Sequence, residues 1–192
     1  MLLRNYDNIM TFNNLCKLDN SIDNSGYGDG FLGVKTWKGT LLKTGYTLPF
    51  TSFAANNNSV YNYGYPKLLC GYDESEVTYD DYNIASLPSL NFVSHSVSPI
   101  TYDGETNTYT TEYTKTYNNA TSDTVIINCI GCATGSKSSS GDNTEYHALY
   151  YKEKLPESVE IPANASITLK LKTIIKGNSN KPADYVASAS VE

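Results

Sequence analysis

Between Ser166 and Ile175 the chain alternates cleanly, with Ile167, Leu169 and Leu171 on one side and Thr168, Lys170 and Lys172 on the other. Side chains alternate across a strand but return every 3.6 residues in a helix, so this pattern predicts a half-buried strand. Other runs behave in the same way. Phe92 to Tyr102, Asp103-Gly104 and Thr108 to Tyr117 read as strand, turn and strand, because Asp-Gly favours a tight hairpin. Phe31 to Trp37, Lys38-Gly39 and Thr40 to Thr44 predict an earlier hairpin, and Val60 to Tyr65 and Lys67 to Tyr72 two further strands. Thr124 to Ile130 is apolar on both faces, with Val125, Ile127 and Cys129 opposite Ile126 and Ile130, as expected of a central covered strand. Glu145 to Leu155 predicts a strand halted by Pro156, and Val159 and Ile161 a short one turned by Pro162-Ala163-Asn164-Ala165.

The remaining segments punctuate these strands. Residues 1–20 carry Leu2, Leu3, Tyr6, Ile9 and Met10 at helical spacing, weakened by Asn5, Asn8, Asn13 and Asn14, and read as an arm or short helix. Asp19 to Gly30 reads as a loop, Asn118 to Asp123 as a turn and Ala133 to Asn143 as a flexible polar loop. From Lys176 the chain turns polar, which predicts a flexible tail. The expectation is an all-β protein: an antiparallel β-sandwich, jelly-roll or immunoglobulin-like. Its divisions are an N-terminal arm and loop over 1–30, a β-sandwich domain over 31–175 and a C-terminal tail over 176–192.

Composition sharpens this picture. Only 18% of residues are charged while 17 are Tyr, a β-former with an apolar body and a polar tip. A net charge of −6, with scattered lysines, argues against binding a phosphate backbone. No apolar run approaches the roughly 20 residues of a membrane helix, and Met1-Leu2-Leu3-Arg4-Asn5-Tyr6-Asp7 lacks the core of a signal peptide. The expected site of synthesis is therefore a cytoplasm, with Cys16, Cys70, Cys129 and Cys132 as thiols.

Candidate chemistry is sparse. Cys129-Ile130-Gly131-Cys132 has the spacing of half a zinc site or a redox pair, but no second pair completes a zinc site and no βαβ context surrounds it. His95 shares a face with Val93 and Val97, and His147 with Leu149 and Tyr151, with no nucleophile motif nearby. Asp73-Glu74-Ser75-Glu76, Asp80-Asp81, and Asp23 with Asp29-Gly30 match no calcium-loop spacing and read as turns. Asn57-Asn58-Ser59, Asn119-Ala120-Thr121 and Asn164-Ala165-Ser166 match the glycosylation pattern by chance in an Asn-rich chain. No catalytic residue, metal ligand or cofactor is expected. The informative side chains are two tyrosine stripes, Tyr61, Tyr63 and Tyr65, and Tyr109, Tyr113 and Tyr117, each suited to packing inside the sandwich, docking a subunit or stacking on a sugar.

Arg4-Asn5-Tyr6-Asp7-Asn8, Gly26-Tyr27-Gly28-Asp29-Gly30-Phe31-Leu32-Gly33-Val34-Lys35 and Val77-Thr78-Tyr79-Asp80-Asp81-Tyr82-Asn83-Ile84 resemble stretches of small structural proteins of tailed bacteriophages. The run from His147 to Leu155, through Val159-Glu160-Ile161-Pro162 to the strand ending at Ile175, is similar to the closing hairpin of many virion proteins, with Asn164 where Gly is usual. The resemblance implies a non-enzymatic subunit of the neck, tail or head surface. Its implied partners are other virion proteins and copies of itself, with neither nucleic acid nor membrane. A carbohydrate- or receptor-binding module on the virion, with a host-surface glycan as ligand, is the alternative.

Overall fold

The computed structural model describes residues 1–8, 39, 67–84, 89–137, 145–179 and 182–192. The described strands are β1 (Lys67–Gly71), β2 (Leu90–Val97), β3 (Thr101–Asp103), β4 (Thr108–Asn119), β5 (Val125–Lys137), β6 (Glu145–Ile161), β7 (Ser166–Lys176) and β8 (Pro182–Val191). They form two antiparallel sheets packed against each other, an all-β sandwich. One sheet runs β1-β5-β6, and the other runs β2-β4-β7-β8 with β3 also paired to β4. The hairpin expected over 31–44 and the strand over 60–65 lie outside the described residues.

The contacts of the chain gather into two compact units, one of residues 1–67, 76–84 and 131–152, the other of 68–75, 85–130 and 153–192. In the first, residues 4–8 are helical and an isolated antiparallel bridge joins Leu2 to Tyr151. Leu3 N–H donates to Tyr150 O at 2.9 Å, and the Asn5 amide donates to Leu149 O at 2.8 Å. Leu3, Tyr6, Ile84, Cys132, Leu149, Tyr150 and Tyr151 are buried. Lys152 is buried as well, and its ammonium donates to Asp81 at 2.9 Å. A buried cation is tolerable only with such a partner, which makes the pair a constraint on geometry more than a source of stability.

The second unit carries the face-to-face layers. Ile167, Leu169 and Leu171 are buried along β7 while Thr168 is half-buried and Lys170 and Lys172 are exposed, as the alternation requires. Cross-strand partners share a face, so Tyr113 and Leu171, and Tyr117 and Ile167, belong to this inward side. Across the gap the Tyr117 hydroxyl donates to Leu68 O of β1 at 2.8 Å. The turn before β7 places Asn164 in the left-handed region at φ 62°, the conformation Asn tolerates best after Gly.

Four sequence readings are corrected. Residues 182–191, expected as tail, pair with β7 from Ile167↔Val191 to Ile174↔Asp184. The Ala and Ser of Tyr185-Val186-Ala187-Ser188-Ala189-Ser190-Val191 carry too little hydrophobic contrast to announce a strand. β6 continues through Pro156, because a strand at the end of a described sheet order loses little where its N–H would face away from its neighbour. β5 runs on to Lys137, so Cys132 and Ala133 are inside a strand and not beyond it. At the hairpin, the left-handed residue is Asn107 at φ 51° and not Gly104, and the turn spans residues 104–107.

Candidate docking row

The face that buries Leu169 and Leu171 does not stay buried along its length. At the end nearest the β3–β4 turn, Tyr102 pairs with Tyr109, and Tyr109 pairs with Ile175. These three side chains therefore stand in one cross-strand row, and their exposures are 57%, 44% and 37%. Ile100, just before β3, is 67% exposed. The Tyr102 and Tyr109 rings lie 4.7 Å apart and tilted by 34°, within the range of favourable aromatic contact. Large apolar side chains gathered in this way mark a contact surface more often than singly scattered ones do.

Two turns hold the row in place. The Asp103 carboxylate accepts from the Glu105 N–H at 2.9 Å and from the Thr106 hydroxyl at 2.7 Å, and these bonds hold its pKa below the ordinary value. Tyr102 donates to the Asn107 side chain at 3.2 Å, and Gly177 N–H of the β7–β8 turn donates to Asn107 O at 2.8 Å. The backbone beneath the tyrosines is thus tied on both sides.

The second tyrosine stripe is divided by this arrangement. Tyr113 is only 8% exposed, so it serves the core and is unable to stack on a sugar or dock a subunit. Tyr117 is half-buried and spends its hydroxyl on Leu68 O. Only Tyr109 of the three faces solvent. Tyr61, Tyr63 and Tyr65 lie outside the described residues.

At the opposite end of the same face, Phe92 is exposed, with the Lys115 ammonium 5.5 Å from its ring centroid and 4.9 Å from that of Tyr117. A bulge between Phe92 and Ser94 shifts the register, which brings Phe92 in place of Val93 onto the face of His95. His95 lies 5.9 Å from the Phe92 ring and 6.4 Å from that of Tyr113.

The other candidate chemistry resolves into structure. Cys129 and Cys132 are three residues apart on one strand and so project to opposite faces, where they are unable to share a metal or a disulfide. Cys132 lies 2.9 Å from the Tyr150 hydroxyl. Burial pushes the Cys70 thiol up to about 12. Asp80 pairs with Arg4, and Asp81 accepts from Lys152 and from the Thr78 hydroxyl at 2.6 Å. Among the described residues no three His, Cys, Asp or Glu side chains are grouped to hold a metal ion. Asn119 of the glycosylation match is buried and fully engaged, donating to Asp123 O, Ile161 O and Pro162 O and accepting from Thr121. The described helix is too short to cross a membrane.

No protein-family model, no curated protein and no solved structure matches this chain.

Proposed function

We propose that the chain is a non-enzymatic structural subunit of a tailed-bacteriophage virion, in its neck, tail or head surface, and that it docks on neighbouring virion proteins through Ile100, Tyr102, Tyr109 and Ile175. The observation that carries the docking reading is the exposed apolar row on a backbone tied by two turns. Rigid aromatic anchors lose little conformational entropy on contact, and Tyr is enriched at interface centres. The virion setting comes from the resemblance of the N-terminal and C-terminal stretches. Repetition in a symmetric particle then multiplies a contact that alone would be modest.

Fractionating a lysate of the cells that make the protein tests this reading. The chain is expected to band with particles in a fixed ratio through a density gradient, and a double Tyr102→Ser, Tyr109→Ser variant that keeps its fold is expected to remain at the top. Wild-type chain found wholly outside the particle bands would overturn the proposal.

The stacked Tyr102–Tyr109 pair also favours a second reading, a carbohydrate- or receptor-binding module on the same kind of particle. A sugar lying across both rings would lose binding in Tyr109→Ala while particle incorporation is kept. A glycan array without any signal removes that reading.

A further inference from the structure

We infer that Cys70 and Cys129 are a cross-strand thiol pair that closes to a disulfide in oxidising surroundings and staples β1 to β5. The pair is independent of the docking row and of the assembly reading. Both residues are thiols, with exposures of 4% and 1%, and both belong to the second unit. Their strands, β1 and β5, are neighbours in an antiparallel sheet.

The two thiols share a face. Along β5, Val125 is half-buried and Ile127 and Cys129 are buried, while Ile126 on the other side is 46% exposed. Cys129 therefore stands on the side that is covered throughout. For Cys70 the neighbours come from β4, where Lys115 pairs with Leu169 and Tyr117 with Ile167 on the inward face. The Tyr117 hydroxyl reaches Leu68 O, two residues before Cys70. The Cys70 thiol also feels Cys129, which raises its pKa, and Lys115, which lowers it. It thus lies between the layers, on the side of Cys129.

The thiols also stand at one level. The Asn128 amide donates to Tyr72 O at 3.1 Å, which sets Cys129 opposite Cys70 to within a residue of an antiparallel ladder. An offset of one residue would send the two side chains to opposite faces, so direct opposition remains. Gly71 then faces Asn128, and its missing side chain gives the amide room to reach over. Directly opposed Cβ atoms lie about 4.5–5.5 Å apart, close to the roughly 3.5–4.5 Å that a disulfide spans.

Burial holds the Cys70 thiol up at about 12, so its nucleophilic thiolate is scarce at neutral pH and the pair closes slowly. The oxidant is a small disulfide. One protein thiolate attacks its S–S bond and releases one small thiol; the second protein thiolate then displaces the other half. In sum two protein thiols give up two protons and two electrons, the Cys70–Cys129 bond forms, and the small disulfide becomes two thiols.

Incubating the full native chain with 2-hydroxyethyl disulfide, from neutral pH upward, tests this. Acid quenching, alkylation and fragmentation of the linked peptides then show which cysteines are joined. The Cys70–Cys129 link is expected to dominate, forming about tenfold faster per pH unit. Closing the long loop between them is expected to raise Tm by roughly 5–15 °C, reversibly on reduction, and Cys129→Ala is expected to abolish the shift. Cys70 left unlinked throughout, or joined preferentially to Cys132 or Cys16, would overturn the inference. So would a linked chain whose Tm is unchanged or lower.

Discussion

Replacing Asn119 by Ala gives the sharpest test of how the second unit is held together. Asn119 closes β4, and its side chain is the meeting point of three segments. Its amide donates to Asp123 O at 2.8 Å, Ile161 O at 2.9 Å and Pro162 O at 3.1 Å. Its oxygen accepts from the Thr121 N–H at 3.0 Å and from the Thr121 hydroxyl at 2.6 Å. Two amide hydrogens serve three carbonyls, so about four bonds are in play at about 1 kcal/mol each. Water reaches the Thr121 side of the site, which recovers part of the loss. The expected destabilisation is about 3 kcal/mol, or roughly 6–12 °C in Tm for a chain of this size. Urea unfolding, followed in the β-sheet band of the circular dichroism spectrum, measures it. Asn118→Ala, one residue earlier, gives up only two longer bonds at 3.2 and 3.3 Å and serves as the comparison. A loss below about 1 kcal/mol for Asn119→Ala, with an unchanged denaturant slope, would refute the view that this amide joins the segments.

Three further outcomes follow from the same contacts. Gly131→Ala places a Cβ 2.9 Å from Leu149 Cδ1, 3.1 Å from Ile84 Cδ1 and 3.3 Å from Tyr151 O, and is expected to cost about 1–3 kcal/mol in calorimetric or denaturant stability. Asn164→Gly is expected to be neutral or slightly stabilising, since Gly accepts the observed φ of 62° freely, and Asn164→Ala to cost about 1 kcal/mol in the same titration. Burial holds the Cys70 thiol up at about 12 from 9.0 and the Tyr6 hydroxyl up at about 12 from 10.0. Below about 9 both groups are protonated in either state; between there and about 12 the unfolded chain loses protons that the folded chain keeps, so stability is expected to fall as pH rises through that window. Cys70→Ser should flatten the lower part of that decline, and an unchanged pH profile would contradict the assignment.

The strands that announced themselves in the sequence are those with high contrast between their faces. Ile167, Leu169 and Leu171 against Thr168, Lys170 and Lys172 define β7 without any tertiary knowledge, and Asn164 marks its turn. β8 is made of the same alternation in weaker material, Ala against Ser, and its order comes from eight backbone pairings to β7 between Val191 and Asp184. Pro156 misleads because a local rule about the missing N–H takes no account of whether a neighbour needs that donor. The bulge at Val93 is likewise invisible to periodicity, and it moves Phe92 onto the face of His95.

The candidate site was half legible. Tyr109 stands out from the stripe, but Tyr109, Tyr113 and Tyr117 have identical spacing and different exposures. What separates them is tertiary packing, which buries Tyr113 and leaves Tyr109 exposed, and no period carries that. Tyr102 escaped notice although hairpin register sets it directly opposite Tyr109. Pairing residues outward from the Asp103–Thr108 closure would have found it. Ile175 and Ile100 carried no signal of their own; their exposure is visible only in the fold.

Hydroxyl-radical footprinting of the chain, isolated and within the particle fraction, addresses the docking row most directly. The row predicts strong protection of Tyr102 and Tyr109 on assembly, with Tyr113 unreactive in both states as the buried reference. Equal modification of Tyr102 and Tyr109 in the two samples would contradict it.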